Sequence, residues 1–185
     1  NVLDAFTNAY RRTDLELLEA KCHYVGSTVV TCYIRHNGRC RTLYTANAGD
    51  ARAVLSRNSC AIRLTFDHKA NAPEEQKRIG QSGGFVAANR VNGVLSVSRA
   101  LGDHAMKYVV SCDPFYTEYE LNDTDSFIII ACDGLWDVVS DDEAVQFVSE
   151  KLAKAIDPQV ISRKLVKLAL DRNSTDNISV MVVKL

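Results

Sequence analysis

The chain has 185 residues, 46% of them hydrophobic, with 22 Lys plus Arg against 23 Asp plus Glu and a net charge of −1. That is enough apolar material for one packed domain, and it excludes a disordered polymer. The balanced charge leaves no electrostatic footprint for nucleic acid, and no basic run or long apolar stretch points to a membrane. No signal peptide is recognisable at Asn1.

Val2, Leu3, Phe6, Ala9 and Tyr10, then Leu15, Leu17 and Leu18, recur at helical spacing and predict a helix over 2–20 with a break near Thr13. The β-branched and aromatic run 28–35 predicts a strand, and His36-Asn37-Gly38 a tight return into a second. Gly49-Asp50 reads as a turn into a third strand. Residues 72–84 read as a helix with Pro73 near its start and Gly83 as its stop. Asn92-Gly93 signals a further hairpin. Residues 114–121 alternate like a strand, and the unbroken apolar run 126–132 predicts a central strand buried on both faces. Ser140 and Glu143 form a capping box opening a helix through about Ile156. Pro158 opens another to about Arg172, and 177–185 is a closing strand. Hairpin turns outnumber crossover helices, which favours α+β layers with a mostly antiparallel sheet over a doubly wound one.

Cys22, Cys32, Cys40, Cys60, Cys112 and Cys132 contain no C-x-x-C pair. They read as buried, reduced thiols, which suits a cytoplasmic or nuclear location.

Asp67, Asp133 and Asp176 share one pattern, a carboxylate where an apolar strand ends or begins. Asp137 follows Asp133 by four residues, just after Trp136, the only tryptophan. Oxygen-only ligation by aspartates suits Mg2+ or Mn2+ better than zinc. Taken singly, each aspartate also reads as an ordinary turn former or cap. His68 reads as a ligand or as a hydrogen-bonding support, and Trp136 as core.

Six segments in order carry a resemblance: GSTVV at 26–30, ANAGDARAVL at 46–55, LTFDHKANAPEEQKRI at 64–79, RVNGVLSVSRALGD at 90–103, ACDGLWDVVS at 131–140 and STDNISVMVV at 174–183. Together they are similar to the metal-dependent serine/threonine protein phosphatases of type 2C. The resemblance implies an αββα sandwich, two mostly antiparallel sheets flanked by helices, in a single phosphatase-like domain over 1–185. It implies Asp133 and Asp176 as ligands of a Mg2+ or Mn2+ pair, and Asp67 and Asp137 as positions that hold a third, weaker ion with Asp133. His68, Gly134 and Asn177 fall beside these as supporting residues. Residues 104–112 fall where the family has a flap. Ala70 stands where the family often has proline. The implied chemistry is hydrolysis of phosphoserine or phosphothreonine in a protein substrate by a metal-activated water.

The family's N-terminal aspartate motif, D-G-H-G-G, and its phosphate-binding arginine have no counterpart here. The fold is therefore expected to be incomplete at the N-terminus, the chain by itself weakly active or inactive, and the edge left by missing strands available for association. The alternative is a noncatalytic phosphatase-like module that binds partners as a scaffold.

Overall fold

The computed structural model describes residues 1–38 and 40–185. Its elements begin with α1 (Val2–Glu19), β1 (Gly26–Ser27), β2 (Val29–Asn37), β3 (Cys40–Ala48), β4 (Arg52–Arg57) and β5 (Cys60–Arg63). There follow α2 (Pro73–Gln81), β6 (Val86–Ala87), β7 (Arg90–Val91), β8 (Leu101–Gly102), a 3-10 turn (His104–Met106), β9 (Phe115–Leu121) and β10 (Asp125–Ala131). The last are α3 (Asp133–Trp136), α4 (Asp141–Leu152), α5 (Pro158–Asp171) and β11 (Val180–Lys184). Helices and antiparallel sheets in these proportions are the α+β class expected from the sequence. Two compact units form, one of Asn1–Thr31, Ala46–Asp50 and Phe66–Tyr116, the other of Cys32–Thr45, Ala51–Thr65 and Thr117–Leu185. A three-stranded sheet has the order β2-β3-β9.

In the first unit α1 starts at Asn1, whose side-chain oxygen accepts from the N–H groups of Leu3 and Asp4. Phe6, Tyr10 and Asp14 are its buried stripe, at i, i+4 and i+8. The break expected near Thr13 does not occur; the helix runs unbroken to Glu19, with Thr13 on the exposed face. α2 begins at Pro73 as expected and buries Glu75 and Ile79. β6 and β7 pair around Ala88 and Asn89, both at positive φ. The turn at Asn92 and Gly93 forms too, but closes only the single bridge Val91–Leu95. Ala70, Ile79, Val91, Ala100, Val109 and Val110 form one apolar cluster of this unit.

The unit also holds an ionic cluster centred on a buried carboxylate. Glu75, 1% exposed, accepts from Arg99 at 2.6 Å, Ser98 at 2.6 Å and Arg78 at 2.9 Å. Arg78 also donates to the carbonyls of Ser98 and Val109, and Arg99 to that of Asp113. One carboxylate thereby pins α2 to two loop segments. Burial alone would push the Glu75 carboxyl up, but hydrogen bonds from Arg99, Ser98 and Arg78 outweigh it and hold the pKa at about 2.

In the second unit the sheet order is β11-β10-β4-β5, all antiparallel. β10 lies inside the sheet, and Phe127, Ile128 and Ile129 are all buried, as a two-faced central strand requires. β5 was not legible in the sequence; it returns from β4 through Asn58 and Ser59, both at positive φ. The capping box at Ser140 and Glu143 forms. Val145 and Val148 of α4, and Ile161, Leu165 and Ala169 of α5, belong with Val54, Phe127 and Ile129 to one core. α4 stops at Leu152, short of Ile156. Ala155 turns left-handed, and the N–H groups of Ala155 and Ile156 close back on the carbonyls of Leu152 and Lys151, a Schellman stop.

Among the described residues all six cysteines are free thiols. They are not buried as expected: Cys40 and Cys60 are exposed and the other four half-buried. No helix among the described residues is long and apolar enough to cross a membrane.

Candidate metal centre

The end of β10 is built from its own hydrophobicity. Ala131 pairs with Val180 on one side and Arg52 on the other, and the chain then turns directly into α3. Leu135 and Trp136 drive α3 into the core, and the Trp136 indole N–H donates to the Ala131 carbonyl at 3.1 Å. The Arg52 guanidinium lies over the Trp136 ring and pairs with Asp141 at 2.6 Å. With α3 so fixed, Asp133 is half-buried and Asp137 exposed. The Asp137 N–H bonds to the Asp133 carbonyl at 2.8 Å, so the two carboxylates share a helix face one turn apart.

Asp176 is held to the same end of the sheet, but not by being the first residue of the last strand. β11 starts at Val180, and Asp176 sits in the loop before it, its Oδ1 accepting from the Asn177 N–H at 2.7 Å. That loop is closed on the start of α3 by several bonds. The Cys132 thiol donates to the Asn177 carbonyl at 3.2 Å and accepts from the Ser179 N–H at 3.2 Å. The Ser174 hydroxyl donates to the Gly134 carbonyl at 2.7 Å. Gly134 is required here because a Cβ would fall 2.3 Å from the Asn177 carbonyl oxygen.

Asp67 belongs to the first unit and lies four residues beyond β5, in irregular backbone, not at a strand end. Next to it His68 is fully buried. Its Nδ1 sits 3.2 Å from the Gly49 nitrogen and 3.0 Å from the Gly49 oxygen, tying down the turn after β3. Its carbonyl accepts from both the N–H and the hydroxyl of Ser98. Burial first, then the charge of Arg99, pushes the imidazole down to about 4, so it is neutral at pH 7.

Among the described residues no three His, Cys, Asp or Glu side chains stand close enough together to hold a metal ion. The second unit therefore offers a pair of aspartate-bearing turns held against one another, not a closed cage. Such a donor set fits a hard, hydrated cation, which takes one or two carboxylates and keeps water for its other positions.

The protein phosphatase 2C family profile matches residues 1–178. The chain belongs to that family. It is 52% identical over 163 residues to protein phosphatase 2C homolog 1 of Schizosaccharomyces pombe, covering 86% of this chain and 46% of that protein. It is 46% identical over 143 residues to protein phosphatase 2C homolog 1 of Saccharomyces cerevisiae, covering 77% of this chain and 50% of that protein. The solved serine-threonine phosphatase 2C of Toxoplasma gondii superposes on 99% of this chain and 67% of its own, at 25% identity and a TM-score of 0.84. The chain spans about half the length of the curated phosphatase 2C relatives it matches.

Two clusters in this phosphatase 2C chain escape sequence reading. Glu75 with Arg78 shows only as an i, i+3 pair, and Arg99 joins from 24 residues on. Asp14 accepts from Lys107 at 2.7 Å and from the Gly102 N–H at 2.8 Å, anchoring the segment after β8 to α1 across about ninety positions of sequence.

Proposed function

We propose that this chain is part of a metal-dependent protein serine/threonine phosphatase acting on phosphoserine and phosphothreonine in protein substrates. The closure of the Asp176 loop on α3 through Gly134, Ser174 and Cys132 carries the reading. A scaffold needs no carboxylate on each side of that contact. Asp133 and Asp176 are the proposed ligands of a Mg2+ or Mn2+ ion, with Asp137 one turn beyond. Asp67 is proposed as a ligand on its donor chemistry, with His68 bracing its backbone. Bound divalent metal would supply the Lewis acidity for hydrolysis of a phosphate monoester. The chain's own part is to fix the carboxylate-bearing turns, through Gly134 and the Cys132–Asn177 bond, so that little reorganisation accompanies metal entry.

Because few carboxylates are gathered, the 185 residues alone are proposed to bind metal weakly and to turn over a phosphothreonine peptide slowly or not at all. The test measures Mn2+ binding by calorimetry and peptide hydrolysis side by side, for the chain and for Asp133→Ala. Weak binding that vanishes in the variant supports the reading. Equal binding by both proteins rejects the assignment of Asp133. Failure of both to bind favours the noncatalytic module.

A further inference from the structure

The first unit contains a cavity of about 370 Å3 whose lining includes Arg11 from α1, Arg78 from α2 and Lys107 just after the 3-10 turn. Among the described residues Asp113 is the only carboxylate in that lining. Arg11 gives it one bond, from Nε at 2.8 Å, and among the described residues the terminal nitrogens of Arg11 make no other. The Lys107 ammonium donates to Asp14 and to the Ala100 carbonyl, which leaves one of its three protons over.

Hydroxyls add to the surplus of donors. Ser111 Oγ accepts from the Asp113 N–H, and the Tyr108 hydroxyl accepts from the Asn92 amide, so each keeps its own proton to give. The Ser82 hydroxyl also lines the cavity, with no protein acceptor among the described residues. A wall rich in free donors and poor in acceptors matches a ligand that only accepts. A tetrahedral oxyanion is the compact case, and guanidinium forks suit it best.

We propose that this cavity is a binding site for a phosphoryl group, separate from Asp133 and Asp176 and independent of the hydrolytic reading. Asp113 acts as its built-in competitor, occupying Arg11 until an anion arrives. Affinity is modest, because Glu75 and Asp14 already neutralise much of Arg78 and Lys107 from behind the wall.

The test titrates inorganic phosphate into the isotope-labelled protein in EDTA, so that no metal contributes, and follows backbone amide shifts. Arg11→Gln and Asp113→Asn are the variants; both side chains are at least half exposed, so both proteins fold. The expected result is saturable shifts at Ser82, Lys107 and Ser111, weakened about threefold or more by Arg11→Gln and tightened by a similar factor by Asp113→Asn. A phosphoserine peptide is run against its unphosphorylated form. Tighter binding than inorganic phosphate assigns the anion to a phosphorylated polypeptide, and equal binding assigns it to the free ion. Identical affinities in all three proteins, or shifts confined to the Asp133 and Asp176 region, overturn the proposal.

Discussion

Substituting Gly134 by alanine tests the geometry that joins the two aspartate-bearing turns. The new Cβ would lie 2.3 Å from the Asn177 oxygen, 3.1 Å from its carbon and 3.2 Å from the Ile178 side chain. The oxygen must retreat by about 0.7 Å to reach even 3.0 Å, and interiors this dense do not yield freely. It is backbone, and it is held by the Cys132 thiol, so the whole loop 174–179 has to shift. Overpacking of this kind costs about 1–3 kcal/mol. Straining the Ser174 bond to the Gly134 carbonyl adds about 1 kcal/mol. Alanine's better helix propensity returns at most about 1 kcal/mol. The steric effect wins, for a net destabilisation of about 1–3 kcal/mol. Urea denaturation reads it directly. Gly80→Ala is the control, because its Cβ meets nothing within 4 Å in α2 and should stabilise slightly. Mn2+ affinity should fall about tenfold in Gly134→Ala as Asp176 moves. A variant with unchanged midpoint and unchanged metal affinity, beside a stabilised control, would refute the reasoning.

Glu75→Gln leaves Arg78 and Arg99 without their counter-charge and should cost about 3–5 kcal/mol, read as a lower urea midpoint at pH 7. The carboxyl is held at about 2 against an ordinary 4.5, so its contribution is complete above pH 4.5 and drains away as pH falls toward 2. Wild-type stability should therefore drop as pH falls from 4.5 toward 2, by measured midpoints, more steeply than that of Glu75→Gln. Asp141 pairs with Arg52 at 2.6 Å and Arg63 at 2.8 Å, so Asp141→Asn should lower stability by about 2–4 kcal/mol. Parallel melts with Arg63→Gln, whose partner keeps Arg52, should show the smaller loss. Iodoacetamide labelling at pH 8 followed by mass spectrometry should modify Cys40 and Cys60 first, since burial pushes the Cys32 thiol up to about 12. Alkylation of Cys32 as fast as of Cys60 would contradict its burial.

Local signals settled most elements. Pro73 and the Ser140–Glu143 box start their helices where sequence places them, because a cap acts within four residues. The run from Phe127 to Ile130 became an interior strand because so apolar a segment must be covered on both faces. Element ends were less legible. Thr13 does not interrupt α1, since one buried stripe of Phe6, Tyr10 and Asp14 carries the helix past it. Ile156 falls outside α4 because a left-handed Ala155, with no glycine to announce it, closes the helix early.

The candidate site divides along the same line. Aspartates beside apolar runs point to oxygen donors, and six motifs in order point to the family, since both kinds of signal reside in short segments. Their placement did not. Asp67 and Asp176 adjoin apolar runs in sequence yet lie in loops, because strand length is set by pairing with neighbours distant in sequence. The contact of Gly134 with Asn177 spans 43 positions, and that of Asp14 with Lys107 spans 93. A sequence fixes which groups a chain carries and how each short segment folds. Which carboxylate, guanidinium or glycine meets which partner depends on long-range packing, and only the tertiary structure decides it.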